Sequence, residues 1–198
     1  MQANVIDLYH GDNNGQPIDF AKIKAAGIVG IIHKCTQGSG YTDPAYPLRR
    51  QAALDAGLLW GAYTFNTGDS ISSQVEEFLD HAEPDDDTLL ALDFEDNPRS
   101  QMSLDQARHF LEVADAKLGR KIVLYSGNRI KDLLTSGDPF FGSHRLWLAQ
   151  YGPLAKPQAS WSAPWLWQFS ESGRVPGISG AVDLNNYSGT NIAKEWAS

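Results

Sequence analysis

A short apolar run that ends in acidic residues constrains the fold most strongly. Residues 89–92 (Leu-Leu-Ala-Leu) are followed directly by Asp93, Phe94 and Glu95. Such a run is typical of a strand buried on both faces, as in a parallel sheet. Because side chains alternate along a strand, the two acids point the same way, with Cα atoms roughly 6.5–7 Å apart. Carboxylates at that distance raise each other's pKa, which favours a proton donor to an ether or acetal oxygen. Residues 96–98 that follow are typical of a turn, where Asp93 and Glu95 would simply be exposed to solvent. This stretch alone therefore does not establish catalysis.

Strand-like and helix-like patterns alternate along the whole chain. With the central run, the predicted strands are residues 4–7, 28–33, 58–65, 121–125, 145–149, 164–169 and 181–184. Helical spacing predicts helices over about 18–26, 44–56, 71–82, 104–118 and 128–134, the fourth of which opens with a capping box. The alternation predicts an α/β fold, a modified (β/α)8 (TIM-like) barrel with few helices between the last three strands. We see no linker, so we expect one catalytic domain over residues 1–198.

Polar and aromatic residues gather at the predicted ends of these strands. In (β/α) barrels the active site lies at the carboxyl ends of the strands. Acids for chemistry, together with aromatic rings that stack on the apolar faces of sugars, indicate a carbohydrate site. The residues at the strand ends include Asp7, Lys34, Phe65, Asp93, Glu95, Tyr125, Gln150, Tyr151, Gln168 and Asp183, with Trp147 and Trp167 as candidate sugar platforms.

Composition and motif spacing argue against several other classes of function. Sixteen basic against 24 acidic residues give a net charge of −8, which argues against nucleic acid and anionic membrane surfaces. The five histidines show no metal-binding spacing, so we expect no metal, and no motif calls for a cofactor. The single cysteine, Cys35, is expected to be a small buried residue. His33 is either a substrate contact or a satisfied core residue. We expect a monomer.

Ordered motifs along the chain carry a family resemblance. They are residues 6–11 (Ile-Asp-Leu-Tyr-His-Gly), 33–38 (His-Lys-Cys-Thr-Gln-Gly), 41–44 (Tyr-Thr-Asp-Pro), 56–57 (Ala-Gly), 60–63 (Trp-Gly-Ala-Tyr), 92–95 (Leu-Asp-Phe-Glu), 124–126 (Leu-Tyr-Ser), 146–151 (Leu-Trp-Leu-Ala-Gln-Tyr), 167–168 (Trp-Gln) and 182–185 (Val-Asp-Leu-Asn). Together they resemble glycoside hydrolase family 25, the Chalaropsis-type lysozymes. The resemblance implies a muramidase that cuts the β-1,4 bond between N-acetylmuramic acid and N-acetylglucosamine in peptidoglycan.

The resemblance also implies roles for particular residues. Glu95 corresponds to the proton donor, Asp93 to its partner, and Asp7 and Asp183 to further active-site carboxylates. Because both acids of the pair rise from one strand face, we expect substrate-assisted cleavage with net retention. Substrate contacts are predicted for Lys34, Tyr63, Phe65, Tyr125, Trp147, Gln150 and Gln168.

The chain departs from the family pattern at three places. Residues 35–38 read Cys-Thr-Gln-Gly where Ala-Thr-Glu-Gly is common, which removes a carboxylate. Residues 63–65 read Tyr-Thr-Phe where an aromatic-His-Phe is common, which removes a histidine, and residues 8–9 read Leu-Tyr where Val-Ser is usual. These departures bear on substrate preference and leave the acid pair intact.

Two other functions stay open on sequence alone, a chitinase-like glycosidase and a saccharide-binding barrel without turnover. Residues 1–7 show no signal-peptide pattern, and we see no wall-binding repeats. We therefore expect synthesis in the cytoplasm and action on the cell wall after release or non-classical export.

Overall fold

A closed eight-stranded barrel forms the centre of the protein, with helices packed around it. The computed structural model describes residues 2–187 and 189–198. Eight strands close in the order β1-β9-β8-β7-β6-β5-β4-β2, and β1 pairs again with β2. The short strand β3 extends β2 outside this ring. The strands are β1 (Val5–Leu8), β2 (Gly30–Gln37), β3 (Tyr41–Thr42), β4 (Leu59–Phe65), β5 (Leu89–Asp93), β6 (Val123–Ser126), β7 (Leu146–Ala149), β8 (Leu166–Gly173) and β9 (Val182–Tyr187).

The predicted barrel is confirmed, but its last strand runs in an unexpected direction. β1, β2, β4, β5, β6, β7 and β8 pair in parallel, whereas β9 pairs antiparallel with both β1 and β8. The placement of Asp183 at the carboxyl end of its strand is therefore wrong, because this residue lies near the start of β9. The reversed direction still brings Asp183 to the same face of the barrel, directly opposite Asp7 in the strand register.

Alternation along β5 divides its apolar side chains between two cores. Leu89 and Ala91 belong to the cluster that fills the barrel, whereas Leu90, Leu92 and Phe94 pack in the larger cluster beneath the helices. Each of these side chains is at most 2% exposed. The prediction of a strand buried on both faces is confirmed.

The helices cover the outer side of the sheet. The predicted bounds of α3 and α4 match the structure, and α4 begins with the expected capping box of Ser103 and Gln106. None of the described helices combines the length and the apolar character that a membrane span requires. A 3-10 turn (Asp12–Gly15) precedes the helices, which are α1 (Phe20–Ala25), α2 (Tyr46–Asp55), α3 (Ile71–Ala82), α4 (Leu104–Leu118), α5 (Asn128–Leu133), α6 (Pro139–Gly142) and α7 (Ile192–Glu195).

Trp196 closes the end of the barrel opposite the predicted site. Its side chain is 1% exposed, and its indole N–H donates to the Trp60 carbonyl at 2.7 Å. The ring lies so close to Gly30 that a Cβ there would fall 2.6 Å from it. Both contacts are to the amino-terminal parts of strands, so the residue after α7 caps the barrel floor. No sequence pattern predicted this role for residues 192–196.

We predict that Trp196→Ala destabilises the fold by about 3–5 kcal/mol, because it removes a large buried ring and leaves a cavity. Chemical denaturation measures the change. Leu48→Ala serves as the control, since Leu48 is 79% exposed and its loss is expected to cost about 0.5 kcal/mol or less. A Trp196 variant as stable as the control would show that the indole does not close the core.

Candidate active site

Four carboxylates meet in a narrow cavity at the carboxyl end of the parallel strands. The cavity has a volume of about 100 Å³ and is walled by three aromatic side chains and one amide in addition to the acids. Its lining residues are Asp7, Tyr63, Asp93, Glu95, Tyr125, Trp147, Gln168 and Asp183. The structure thus brings together all four acids that the sequence analysis selected.

The end of β5 holds Asp93 and Glu95 on one side of the chain. Between them, Phe94 is fully buried on the opposite side. Its backbone N–H donates to the Tyr125 carbonyl at 2.9 Å, and the Ser126 hydroxyl donates to the Phe94 carbonyl at 2.6 Å. These bonds extend the pairing of β5 with β6 by one residue, so the backbone that carries both acids is fixed.

A chain of amide hydrogen bonds fixes Asp7. Gln168 Nε2 donates to both carboxylate oxygens, at 3.2 and 3.0 Å, and Asn185 Nδ2 donates to one of them at 2.7 Å. The amides are oriented in turn, because the Tyr125 hydroxyl donates to Gln168 Oε1 at 2.9 Å and Trp147 Nε1 donates to Asn185 Oδ1 at 2.6 Å. Side chains from β6, β7, β8 and β9 therefore position one carboxylate on β1.

Asp7 and Asp183 form a pair that shares a proton at neutral pH. Burial raises the pKa of Asp7 to about 6, and the donors Asn185 and Gln168 partly offset this effect. Burial, and then the charge of Asp7, raise the pKa of Asp183 to about 8. Because Asp7 has the amide donors, it ionises first, and the protonated Asp183 donates a hydrogen bond to it.

The second pair, Asp93 and Glu95, also holds protons more tightly than ordinary carboxyls. Burial raises the pKa of Asp93 well above its usual range, the charge of Glu95 adds to this, and Lys34 acts in the opposite direction. Burial likewise raises the pKa of Glu95, the charge of Asp96 adds to this, and Asp183 adds to it where Asp183 is ionised. Asp93 Oδ1 is buried and has no hydrogen-bond partner among the described residues, so it is available to a ligand.

The predicted substrate contacts fall into two groups. Tyr63, Tyr125, Trp147 and Gln168 line the cavity. Trp147 is only 1% exposed and its indole N–H is committed to Asn185, so its observed contacts stabilise the amide network. Sugar contact by these residues stays a prediction.

The other predicted contacts lie outside the cavity. Lys34 Nζ donates to Gln37 Oε1 at 2.7 Å and lies 5.0 Å from the centre of the Phe65 ring. Gln150 lines a separate cleft beside Glu95.

A wider cleft opens from Glu95 along the loops that follow β6 and β7. It has a volume of about 550 Å³, and its walls include Arg129, Gln150 and Tyr151. The Tyr151 side chain is 51% exposed, which leaves its ring free for a ligand. Tyr151 was placed at a strand end from the sequence but was not among the predicted substrate contacts. Its position directly after Gln150, a predicted substrate contact, could have indicated that Tyr151 also lines the cleft.

Other candidate sites are less suited to chemistry. An apolar groove of about 520 Å³ on the outer surface is lined by residues of α1 and α2, such as Phe20 and Leu48, and by none of the four acids. Cys35 is buried and unpaired as expected, and burial raises the pKa of its thiol. His33 is fully buried between the Lys34 carbonyl and Arg49, which makes it a satisfied core residue. Within the described part of the chain, no group of three or more His, Cys, Asp or Glu is arranged to hold a metal ion.

We predict that Asp183→Asn stabilises the protein at alkaline pH. Folded Asp183 has a pKa raised from 3.8 to about 8, so its contribution to stability is full below pH 4 and is lost as the pH rises through 8. Asparagine does not ionise and can still donate to Asp7. The melting temperature of the variant should exceed that of the wild type by at least ~2 °C at pH 9, with the gain shrinking towards pH 4.

Asp80→Asn, on the exposed side of α3, controls for the loss of a surface charge. If the gain in melting temperature of Asp183→Asn did not increase with pH, Asp183 would not hold a proton at neutral pH in the folded protein.

The comparisons with known proteins agree with this geometry. Residues 6–178 match the family model described as glycosyl hydrolases family 25. Lysozyme M1 of Streptomyces globisporus is 29% identical over 93% of this chain and 67% of its own length. The uncharacterized protein YegX of Escherichia coli is 31% identical over 90% of this chain, which spans only 62% of that relative. The crystal structure of a bacterial lysozyme from Streptomyces coelicolor superposes with a TM-score of 0.87 at 26% identity, covering 100% of this chain and 99% of the other. Because the family model matches residues 6–178, most of the chain, the chain belongs to glycosyl hydrolases family 25.

Proposed function

We propose that this protein is a lysozyme that hydrolyses the β-1,4 bond between N-acetylmuramic acid and N-acetylglucosamine in peptidoglycan. The observation that carries the proposal is the convergence of Asp7, Asp93, Glu95 and Asp183 in one narrow cavity, with the pKa of each raised. Membership of family 25 and the similarity to Lysozyme M1 support peptidoglycan as the substrate. This chain spans 62% of the length of YegX and 67% of that of Lysozyme M1. Peptidoglycan hydrolysis is therefore proposed for this chain on the basis of its own residues.

Glu95 is the proton donor in this proposal. It lies both in the narrow cavity and at the start of the wider cleft, so it borders the point where a glycan would pass from one to the other. Burial raises its pKa, which keeps the carboxyl protonated at a pH where an exposed glutamate has lost its proton. Glu95 then donates that proton to the glycosidic oxygen as the bond breaks.

Asp93 assists the reaction and does not attack the sugar. It leaves the same side of β5 as Glu95, whereas an enzyme nucleophile usually acts from the opposite side of the scissile bond. The 2-acetamido oxygen of N-acetylmuramic acid supplies an alternative nucleophile, the substrate-assisted route. Asp93 Oδ1, which has no partner among the described residues, accepts a hydrogen bond from the acetamido N–H. That bond stabilises ionised Asp93 and leaves the proton on Glu95.

Asp7 and Asp183 orient the substrate and tune the acid. The charge of Asp7 raises the pKa of Asp93, and Asp183 raises the pKa of Glu95 further at a pH where Asp183 is itself ionised. The amide network holds Asp7 in one position, so these effects act at fixed distances. Loss of either carboxyl should therefore reduce activity by less than loss of Glu95.

The proposal also covers the oligomeric state, the cofactors, the partners and the location of the protein. The protein acts on the wall as a monomer, without metal or cofactor and without a nucleic acid or membrane partner. It is made in the cytoplasm and reaches peptidoglycan after release or non-classical export. The net charge of −8 gives no electrostatic attraction to an anionic wall.

We predict that the protein releases reducing ends from purified sacculi and not from chitin oligomers. Release from chitin at a comparable rate would favour the chitinase-like alternative. Binding to sacculi with release from neither substrate would leave the saccharide-binding alternative.

We predict that Glu95→Gln lowers kcat on sacculi by about 10²–10⁴-fold, because glutamine keeps the shape of the side chain but has no acid proton to donate. Reducing-end release measures the rate, and the melting temperature verifies folding. Glu112→Gln on the outer surface of α4 is the matched control and should retain wild-type activity. A folded Glu95→Gln variant with near-wild-type turnover would remove Glu95 from the role of proton donor.

We predict that the first-formed product is the β-anomer and that de-N-acetylated glycan is a very poor substrate. Both results follow from attack by the acetamido oxygen, which inverts the anomeric carbon once before water inverts it again. NMR of the early product identifies the anomer. An α-anomer would instead show direct attack by water, and efficient cleavage of de-N-acetylated glycan would point to an enzyme nucleophile.

A further inference from the structure

One wall of the wider cleft carries the basic residue Arg129, although the acids Glu95 and Asp96 line the same cleft and the chain as a whole is acidic. Arg129, in the first turn of α5, lines this cleft together with Glu95. Lys131 lies on the same helix and donates to Gln150 Oε1 at 2.6 Å. Lys156 donates to the same oxygen through its backbone N–H at 3.2 Å, and burial, followed by the positive charge of Lys156, lowers the pKa of Lys131. Three cations are therefore grouped at this edge of a protein with a net charge of −8.

The Arg129 guanidinium has few strong partners within the protein. Its Nη1 lies 3.4 Å from Asp96 Oδ1, and its Nη2 donates to the Met102 carbonyl at 3.3 Å. Asp96 has a side chain that is 66% exposed, so this ion pair is weak and can exchange with a ligand. The guanidinium also lies 5.8 Å from the Phe94 ring, which is on the residue between the two acids of β5. Arg129 is thus held against the acid-bearing segment with N–H donors to spare.

The guanidinium on this wall favours a carboxylate as its ligand. A guanidinium matches the two oxygens of a carboxylate better than a single hydroxyl or amide. Asp7 and Asp93, the ionised carboxylates of the adjoining cavity, would repel such a ligand, so a cation beside Glu95 is where it could be accepted. In peptidoglycan the carboxylates lie on the stem peptide, which is attached to N-acetylmuramic acid, one of the two sugars at the scissile bond.

We propose that Arg129, aided by the field of Lys131 and Lys156, binds a carboxylate of the peptidoglycan stem peptide. The inference rests on the proposed function and adds a substrate preference to it. The protein acts faster on glycan that still carries its peptides than on bare glycan. Gln150 and Tyr151 form the uncharged part of the same wall.

The test compares kcat/KM on soluble glycan strands with and without stem peptides, the latter prepared with an amidase. The ratio is kcat/KM on peptide-bearing strands divided by kcat/KM on bare strands. Arg129→Gln should lower this ratio by about tenfold, because it removes a charged donor. The change should come from a higher KM on the peptide-bearing strands. Arg129→Lys keeps the charge but loses the paired N–H donors of the guanidinium, so its ratio should fall between those of the wild type and Arg129→Gln. Lys117→Gln removes a charge from the outer helix α4 and should leave the ratio unchanged. Equal losses on both strands for Arg129→Gln would overturn the proposal.

A binding experiment separates this inference from the proposed activity. In the Glu95→Gln background, calorimetry measures the affinity for a disaccharide that carries its stem peptide and for the same compound with its carboxylates methyl-esterified. The free acid should bind about tenfold more tightly, and adding Arg129→Gln should abolish the difference. Equal affinities for acid and ester would overturn the proposal even if the enzyme cleaves peptidoglycan. A wild-type protein that cleaves neither strand would instead overturn the proposed function, and the calorimetry would still decide the role of Arg129.

Discussion

The antiparallel insertion of β9 between β8 and β1 is the constraint on which the rest of the site depends. It closes the barrel, and it places Asp183 opposite Asp7 with Asn185 two residues further along the same strand. Asn185 then donates to Asp7 and accepts from Trp147, so one strand supplies both a second acid and the amide that fixes the first. A parallel last strand would reverse the order of Asp183 and Asn185 relative to the site.

Burial and hydrogen bonding divide the protons among the four acids. Every carboxyl in the cavity has a raised pKa with burial as the largest cause, since little water reaches a space of about 100 Å³. Asp7 has amide donors and ionises at the lower pH of its pair. Asp183 has the ionised Asp7 as its neighbour and keeps its proton. The fold thus keeps carboxyl groups protonated at neutral pH, and burying these groups lowers its stability.

Much of this arrangement was predictable because it depends on local periodicity. The apolar run of β5 and the two-residue spacing of Asp93 and Glu95 determine burial and direction without knowledge of the remaining chain. The direction of β9 was not predictable, because the strand pattern at residues 181–184 is the same for either orientation. The role of Trp196 and the basic wall around Arg129 depend on contacts with residues distant in sequence, which no local pattern encodes.

The protonation states of the four acids are the central claim, and a direct titration tests it. With 13C labels on the aspartate and glutamate side chains, NMR follows each carboxyl from pH 4 to 10, and Asp7→Asn and Asp183→Asn assign two of the signals. The account predicts one carboxyl that titrates at about pH 6 and one at about pH 8, from Asp7 and Asp183 respectively. Titration of all four carboxyls below about pH 5, as for exposed acids, would contradict it.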